Sequence, residues 1–286
     1  MFNIIFRGLA TGAIYSLTAT GIVLILSTTN VMNFAQGDTG MLLAYVAFLF
    51  IARRVPPMLT LPVVVIAGIL LGLVVDRGLM SKAKKSSHLG MVMITLAFTM
   101  IFEGIVSTFF GNTPLLFPPL ISGDPFIIGS TVFDRQNLLT IFIALVIFVV
   151  LFFVLYRTKI GIAARSIADD EYGAHILGVP INRITNFIWA MSFGIAGIAG
   201  LVTAPRLSLE PTFMVVVQLK AFIAAVLGGM NSVMGAILGG LILGVIENFI
   251  AYYIPAIKDS FSLILVVLIL LFLPNGIFGK RESRRF

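Results

Sequence analysis

Long apolar segments follow one another at about 4–28, 38–52, 59–75, 90–109, 137–155, 184–204, 213–228, 233–252 and 260–273, and this repetition limits the fold more than any motif does. A helix needs about 20 mostly apolar residues to cross the hydrocarbon core of a bilayer. Several segments are shorter, so eight spans and nine both fit. Hydrophobic residues make up 59% of the 286, charged ones 11%, and mean hydropathy is +1.10, which leaves no stretch for a sizeable soluble domain. The chain reads as one all-α, polytopic transmembrane helix bundle over residues 1–286.

In a soluble protein the net charge of +7 would suggest nucleic acid as a partner. Here the basic residues cluster in short connections. Arg77, Lys82, Lys84 and Lys85 share one, Arg157, Lys159, Arg165 and Arg183 a second, and Lys280, Arg281, Arg284 and Arg285 end the chain. That is the topology signal of a membrane protein, so these residues are assigned to the cytoplasm and no nucleic-acid partner is expected. Nine spans then put the N-terminus outside and the C-terminus inside. Arg7, Arg53, Arg54, Arg135, Arg206 and Lys258 scatter over the opposite face, and Lys220 falls inside an apolar segment. No small-residue cleavage site follows the first apolar run, which reads as a retained span. Residues 110–136, rich in proline and glycine, suit an outer loop with short ordered pieces.

Catalysis has no visible constellation. There is no GxSxG elbow, no HExxH pair and no GxxxxGK[ST] phosphate loop, since the Gly279–Lys280 pair is followed by Arg281. Cysteine is absent, and His88 and His175 lie far apart without neighbouring ligands, so neither disulfides nor a metal site is expected.

Two polar interruptions stand out. In STTNVMNFAQGD (27–38), Asn33, Gln36 and Asp38 separate two apolar runs. An ionised aspartate at a membrane helix centre costs about 2.5–3.5 kcal/mol on insertion scales. Irregular backbone at that depth survives only where protein buries it or water reaches it, so the stretch is either a broken helix at a cavity or a cytoplasmic turn. A second interruption, LGGMNSVMGAILGG (227–240), carries Asn231. Paired interruptions in two halves of a chain point to an inverted repeat with broken helices. Glu103 and Glu247 also break apolar runs and are candidates for facing a pathway. Small residues at helix-packing spacing, Gly8 with Gly12, Gly68 with Gly72, Gly235 with Gly239 and Gly240 with Gly244, suit close helix crossings.

The longest polar segment, RTKIGIAARSIADDEYGAHILGVPINR (157–183), places Ala163, Ala164, Ile167, Ala174, Ile176 and Leu177 at spacings of a short amphipathic helix, with Gly178 and Pro180 as its stop. Its acidic cluster, Asp169, Asp170 and Glu171, belongs either to a solvated loop or to a docking knob.

At NFAQGD (33–38), followed by GIAARSIADDEYGAHILGVPINRI (161–184), the sequence resembles the branched-chain amino acid ABC transporter permease family, above all its shorter H-type subunit. The resemblance extends from GLATGAIYSLTATGIVLI through TLAFTMIFEGIV and FGIAGIAG to AAVLGGMNSVMGAILGGLILGVIE. It implies a multi-pass subunit in the bacterial inner membrane, among lipid, working with a second related permease, two cytoplasmic ATPases and an extracytoplasmic binding protein. ATP and Mg would bind the ATPases, with no cofactor in this chain. The segment around Arg165, Asp169, Asp170, Ala174, Leu177 and Gly178 matches the family's ATPase-contacting helix. Glu103 is a departure, since an uncharged amide is expected there in many relatives. The resemblance implies uptake of amino acids or similar small polar solutes by alternating access. An ion-coupled secondary transporter and a passive channel are the rival readings of the residues.

Overall fold

The computed structural model describes residues 1–83, 87–128, 131–273 and 275–279. Lys84, Lys85, Lys280, Arg281, Arg284 and Arg285, assigned above to the cytoplasm, lie outside the described residues. The apolar segments form α1 (Phe2–Thr29), α2 (Gln36–Ala52), α3 (Thr60–Val75), α5 (His88–Phe110), α6 (Arg135–Arg157), α9 (Ile181–Thr203), α10 (Val215–Gly228), α11 (Val233–Tyr253) and α12 (Lys258–Phe272). A π turn at Asp76–Met80 joins α3 to the single turn α4 (Ser81–Ala83). The polar segment folds as α7 (Lys159–Asp169) and α8 (Glu171–Ile176). Strand structure among the described residues is limited to the hairpin β1 (Phe126–Ile128) and β2 (Thr131–Phe133) and one isolated bridge. Six helical stretches are long and apolar enough to cross a bilayer, and α2, α10 and α12 are shorter.

Close backbone approach sets the helix crossings. Gly68 and Gly72 of α3 lie against the Phe193 and Trp189 turns of α9, and Gly240 and Gly244 of α11 lie against Ser16 and Gly12 of α1. A Cβ on Gly72 would stand 2.9 Å from the Ala190 Cα, and one on Gly12 2.8 Å from the Leu241 Cα. Lipid tails are as apolar as leucine, so such backbone contact, rather than escape from water, holds the helices together.

The same packing occurs twice with opposite direction. α11 lies along α1 as α3 lies along α9, α10 touches α1 as α2 touches α9, and α12 meets α10 as α5 meets α2. α1 and α9 run antiparallel, because Gly21 faces Ser192 while Thr28 shares a cavity with Thr185. The inverted repeat therefore relates α1, α2, α3 and α5 to α9, α10, α11 and α12. This corrects the pairing of interruptions read from the sequence: the counterpart of residues 30–35 is 204–214, before α10. The 227–240 stretch holds instead a tight turn between α10 and α11, with Gly229 at φ +107° and Ser232 Oγ accepting from Gly235 N at 3.0 Å.

Arg77, Lys82, Arg157, Lys159, Arg165 and Arg183 gather at the end of the bundle where α3 and α6 finish and α9 begins, which is the cytoplasmic end. The chain returns there after α12, with Ile277 N and Phe278 N donating to the Leu227 and Gly228 carbonyls at 2.8 and 3.1 Å. At the opposite end residues 111–128 and 131–134 cover the bundle. Its Phe133 ring packs 5.0 Å from that of Phe6, and Leu115 pairs with Leu209.

The α3–α9 crossing gives a stability prediction. Gly72→Leu should lower thermal stability in detergent by about 1–3 kcal/mol or prevent folding, because the backbone of α9 has no room to give. Gly78→Ala, where an added Cβ meets nothing within 4 Å, should leave the melting temperature unchanged or slightly higher.

Candidate functional site: a helix break and a carboxylate-lined recess

Residues 30–35 climb from the end of α1 into the bundle. Asn30 takes the left-handed conformation (φ 54°) and ends α1, and α2 starts beside Ser192, midway along α9. α2 is thus a half-helix with its N-terminus at membrane depth. The backbone groups freed by the break find partners on Asn33 within it and on two neighbouring helices, α5 and α10, while Gln36 ties the start of α2 to α9. Asn33 Oδ1 accepts from Ala35 N at 3.1 Å, and its Nδ2 donates to Gln36 Oε1 at 3.0 Å. Gln36 Nε2 donates to the Ser192 carbonyl at 3.1 Å, while Ser192 Oγ donates to the Gly21 carbonyl at 2.9 Å. From α5, Thr95 Oγ1 donates to the Met32 carbonyl at 3.0 Å and accepts from Phe34 N at 3.4 Å. From α10, Gln218 accepts from Gly37 N and donates to the Phe34 carbonyl. Asn33 and Gln36 are fully buried. Of the two alternatives left open by the sequence, the broken helix is the one observed. Thr95, Ser192 and Gln218 are the residues that sequence reasoning missed; each lies in an apolar run without a local signal.

Beside the break lies a recess of ≈ 240 Å³ between α2, α5 and α10. Asp38, Glu103, Thr99 and Gln218 supply its polar lining, and Phe34, Leu96, Leu219 and Phe222 its apolar walls. It sits on the flank of the bundle where Leu96 and Leu219 are exposed. Asp38 and Glu103, 65 positions apart, are thereby brought to one place. The positive end of the α2 dipole stabilises Asp38 in its first turn.

Glu247 is placed elsewhere. It is 1% exposed, ion-paired with Lys220 of α10, accepts from Tyr15 OH of α1 at 2.8 Å and stands 3.4 Å from Lys258 Nζ of α12. This network binds four helices together away from the recess. Lys220, the basic residue that fitted no loop, thereby finds its partner.

Asn231 lies in the cytoplasmic turn, sharing a cavity of ≈ 230 Å³ with Arg165, Asp169 and Ser232. Arg165 also stacks over the Tyr156 ring at 4.8 Å. Asp170 caps α8, its Oδ1 accepting from Gly173 N at 3.0 Å, and Ala174 is buried against the bundle. Gly178, at φ +78°, turns the chain back into α9. Between these anchors Tyr172, Ile176 and Leu177 project an apolar knob at the cytoplasmic end, Leu177 with 82% of its surface exposed.

A multi-pass bundle with an inverted repeat, a half-helix at membrane depth and a projecting cytoplasmic helix defines a membrane transport subunit. Residues 4–273 match the family model described as the permease component of the branched-chain amino acid transport system, and the chain belongs to that family. It is similar to the probable branched-chain amino acid transport permease protein LivH of Methanocaldococcus jannaschii, with 29% identity over 92% of this chain and 88% of the relative. It is also similar to the high-affinity branched-chain amino acid transport system permease protein LivH of Salmonella typhimurium, with 28% identity over 98% and 96%. The ribose import permease protein RbsC of Haemophilus influenzae matches at 27% over 93% and 81%. No solved structure matches the chain. The protein is a multi-pass permease subunit of the cytoplasmic membrane, as the resemblance in sequence implied.

The buried network gives the second prediction. Glu247→Met should cost about 3–5 kcal/mol, because it removes the buried carboxylate that pairs with Lys220 and accepts from Tyr15. Lys220→Met should cost less, since Lys258 still faces the carboxylate. The double variant Lys220→Met/Glu247→Met should recover much of the loss, measured by thermal unfolding in detergent.

Proposed function

We propose that the protein is one of two permease subunits of an ATP-driven importer of branched-chain amino acids or similar small solutes. The observation that carries this reading is the family match over residues 4–273 together with the half-helix beside the recess. The other permease completes the pathway along the flank that holds Asp38 and Glu103. Two cytoplasmic ATPases bind ATP and Mg and hydrolyse the nucleotide, and an extracytoplasmic binding protein delivers the solute to the outer face. Asn33 and Gln36 hold the half-helix in place rather than touching solute, which their complete burial favours.

In the transport cycle, ATP binding draws the ATPases together and α7 and α8 move with them. The two permeases then rock between outward and inward openings. The knob of Tyr172, Ile176 and Leu177 is suited to a groove on an ATPase, because three large apolar side chains projecting into water are an unfavourable surface unless covered. The likeness to a ribose import permease favours a second reading of the solute as a sugar.

Gentle solubilisation of the tagged chain from native membranes, followed by mass spectrometry, should recover two ATPases and a second permease in fixed stoichiometry. A chain purifying alone, with uptake that collapses when ion gradients are dissipated, would replace this reading with an ion-coupled transporter. In the third prediction, Leu177→Asp and Gly178→Val should each leave the chain folded but lower ATP-dependent leucine uptake about tenfold or more, since a charge or a strained turn at the docking helix costs more than 1.4 kcal/mol. Unchanged uptake in both variants would remove the docking role.

A further inference from the structure

Asp38 is 5% exposed, yet no described side chain donates a hydrogen bond to its carboxylate, which lines the recess. Glu103 faces the same space from α5. Two carboxylates at membrane depth repel each other, and none of the nine residues lining the recess is basic. Lys220, two positions along α10 from Gln218, points instead to Glu247 and Tyr15. The α2 dipole compensates Asp38 in part, but Glu103 is on the middle of α5 and has no such support. The recess is therefore built for a positive charge that the described residues around it do not supply.

The remaining lining narrows which cation fits. A bare metal ion would need six or more oxygen ligands close around it. Here the walls are the rings of Phe34 and Phe222, with centroids 5.2 Å apart, and the aliphatic side chains of Leu96 and Leu219. A volume of ≈ 240 Å³ is far larger than a bare ion needs. Carboxylates at one side and aromatic and aliphatic surface at the other match an ammonium group carried on a short alkyl chain.

We propose that the recess binds the ammonium group of the transported solute, with Asp38 and Glu103 as its counter-charges, Gln218 as an additional acceptor, and Phe34 and Phe222 against its alkyl part. This inference rests on the permease reading and sharpens it: a free amino acid satisfies the site and a sugar does not. A solute carboxylate would have to be met by the second permease, because these walls offer no cationic donor. Glu103 then acts as a determinant of specificity.

The test uses native membranes containing the full tagged chain with whatever assembles on it. Carboxyl groups are labelled with dicyclohexylcarbodiimide, and the unmodified, N-acylurea and competitor-amide forms of Asp38 and Glu103 are read by mass spectrometry after purification, only the unmodified form counting as protected. The competitors are L-leucine, isopentylamine, which lacks the carboxylate, and 4-methylpentanoate, which lacks the ammonium. Both amines should slow labelling of Asp38 and Glu103 about tenfold, the scale of one charge-assisted hydrogen bond, and 4-methylpentanoate should not. Asp38→Asn should weaken the protection of Glu103, and Glu103→Gln that of Asp38, so that one misfolded variant leaves the other to decide.

Protection by isopentylamine but not by leucine would support the ammonium site while counting against the amino-acid reading of function. Equal protection by 4-methylpentanoate would overturn the inference, as would no protection by either amine while leucine uptake persists. Carboxylates that label on the chain expressed alone, but resist labelling in the assembly without competitor, would overturn it too, because the cation would then be a side chain of a partner.

Discussion

A chain in hydrocarbon has no water to satisfy its backbone, and the whole architecture follows from how this one meets that requirement at residues 30–38. Ending a helix inside the membrane frees several N–H and C=O groups at once. Asn33 within the break, Thr95 of α5 and Gln218 of α10 take them up, while Gln36 ties the start of α2 to Ser192 of α9. The break thereby ties together the helices that line the recess. A half-helix placed this way presents its positive end to the bundle interior, which is why a carboxylate such as Asp38 is tolerated beside it.

Close backbone packing gives the break something rigid to lean on. The α3–α9 and α1–α11 crossings bring glycines within van der Waals reach of the opposite backbone, and the repeat makes each crossing the inverted image of the other. Between them, Glu247 holds α1, α10, α11 and α12 through Tyr15, Lys220 and Lys258. Because the crossings run between the repeats, α1 on α11 and α3 on α9, the two halves interlock into one body. The cytoplasmic helices are anchored by Ala174 and the Asp170 cap while their apolar tip stays exposed.

Sequence and structure diverge where long-range pairing decides. Asn33, Gln36 and Asp38 stood out because amides and a carboxylate are costly inside an apolar stretch, and that signal is local. Their partners were hidden, since a serine, a threonine or a glutamine within an apolar helix is ordinary until a neighbour fixes its direction. Glu103 and Glu247 looked alike in the sequence, each one acidic residue in an apolar run. Packing separates them, one at the recess and one in a four-helix ion network. The second interruption around Asn231 signalled a break correctly, but it is the turn between α10 and α11, because glycine-rich polar stretches serve turns and membrane breaks equally well.

The amino-acid sequence by itself determined the solvent, the helical class, the approximate spans, the cytoplasmic end and the amphipathic segment within 157–183. All of these rest on hydropathy, charge and helical spacing, which are properties of neighbours along the chain. The tertiary structure decided that, among the described residues, eight apolar helices pair as an inverted repeat with α6 outside it, that the 30–35 break lies at mid-depth, and that Asp38 and Glu103 share one recess while Lys220 answers Glu247. Those outcomes depend on which helix faces which. That choice follows from glycine contacts and buried hydrogen bonds between residues far apart in the chain, and no local pattern encodes it.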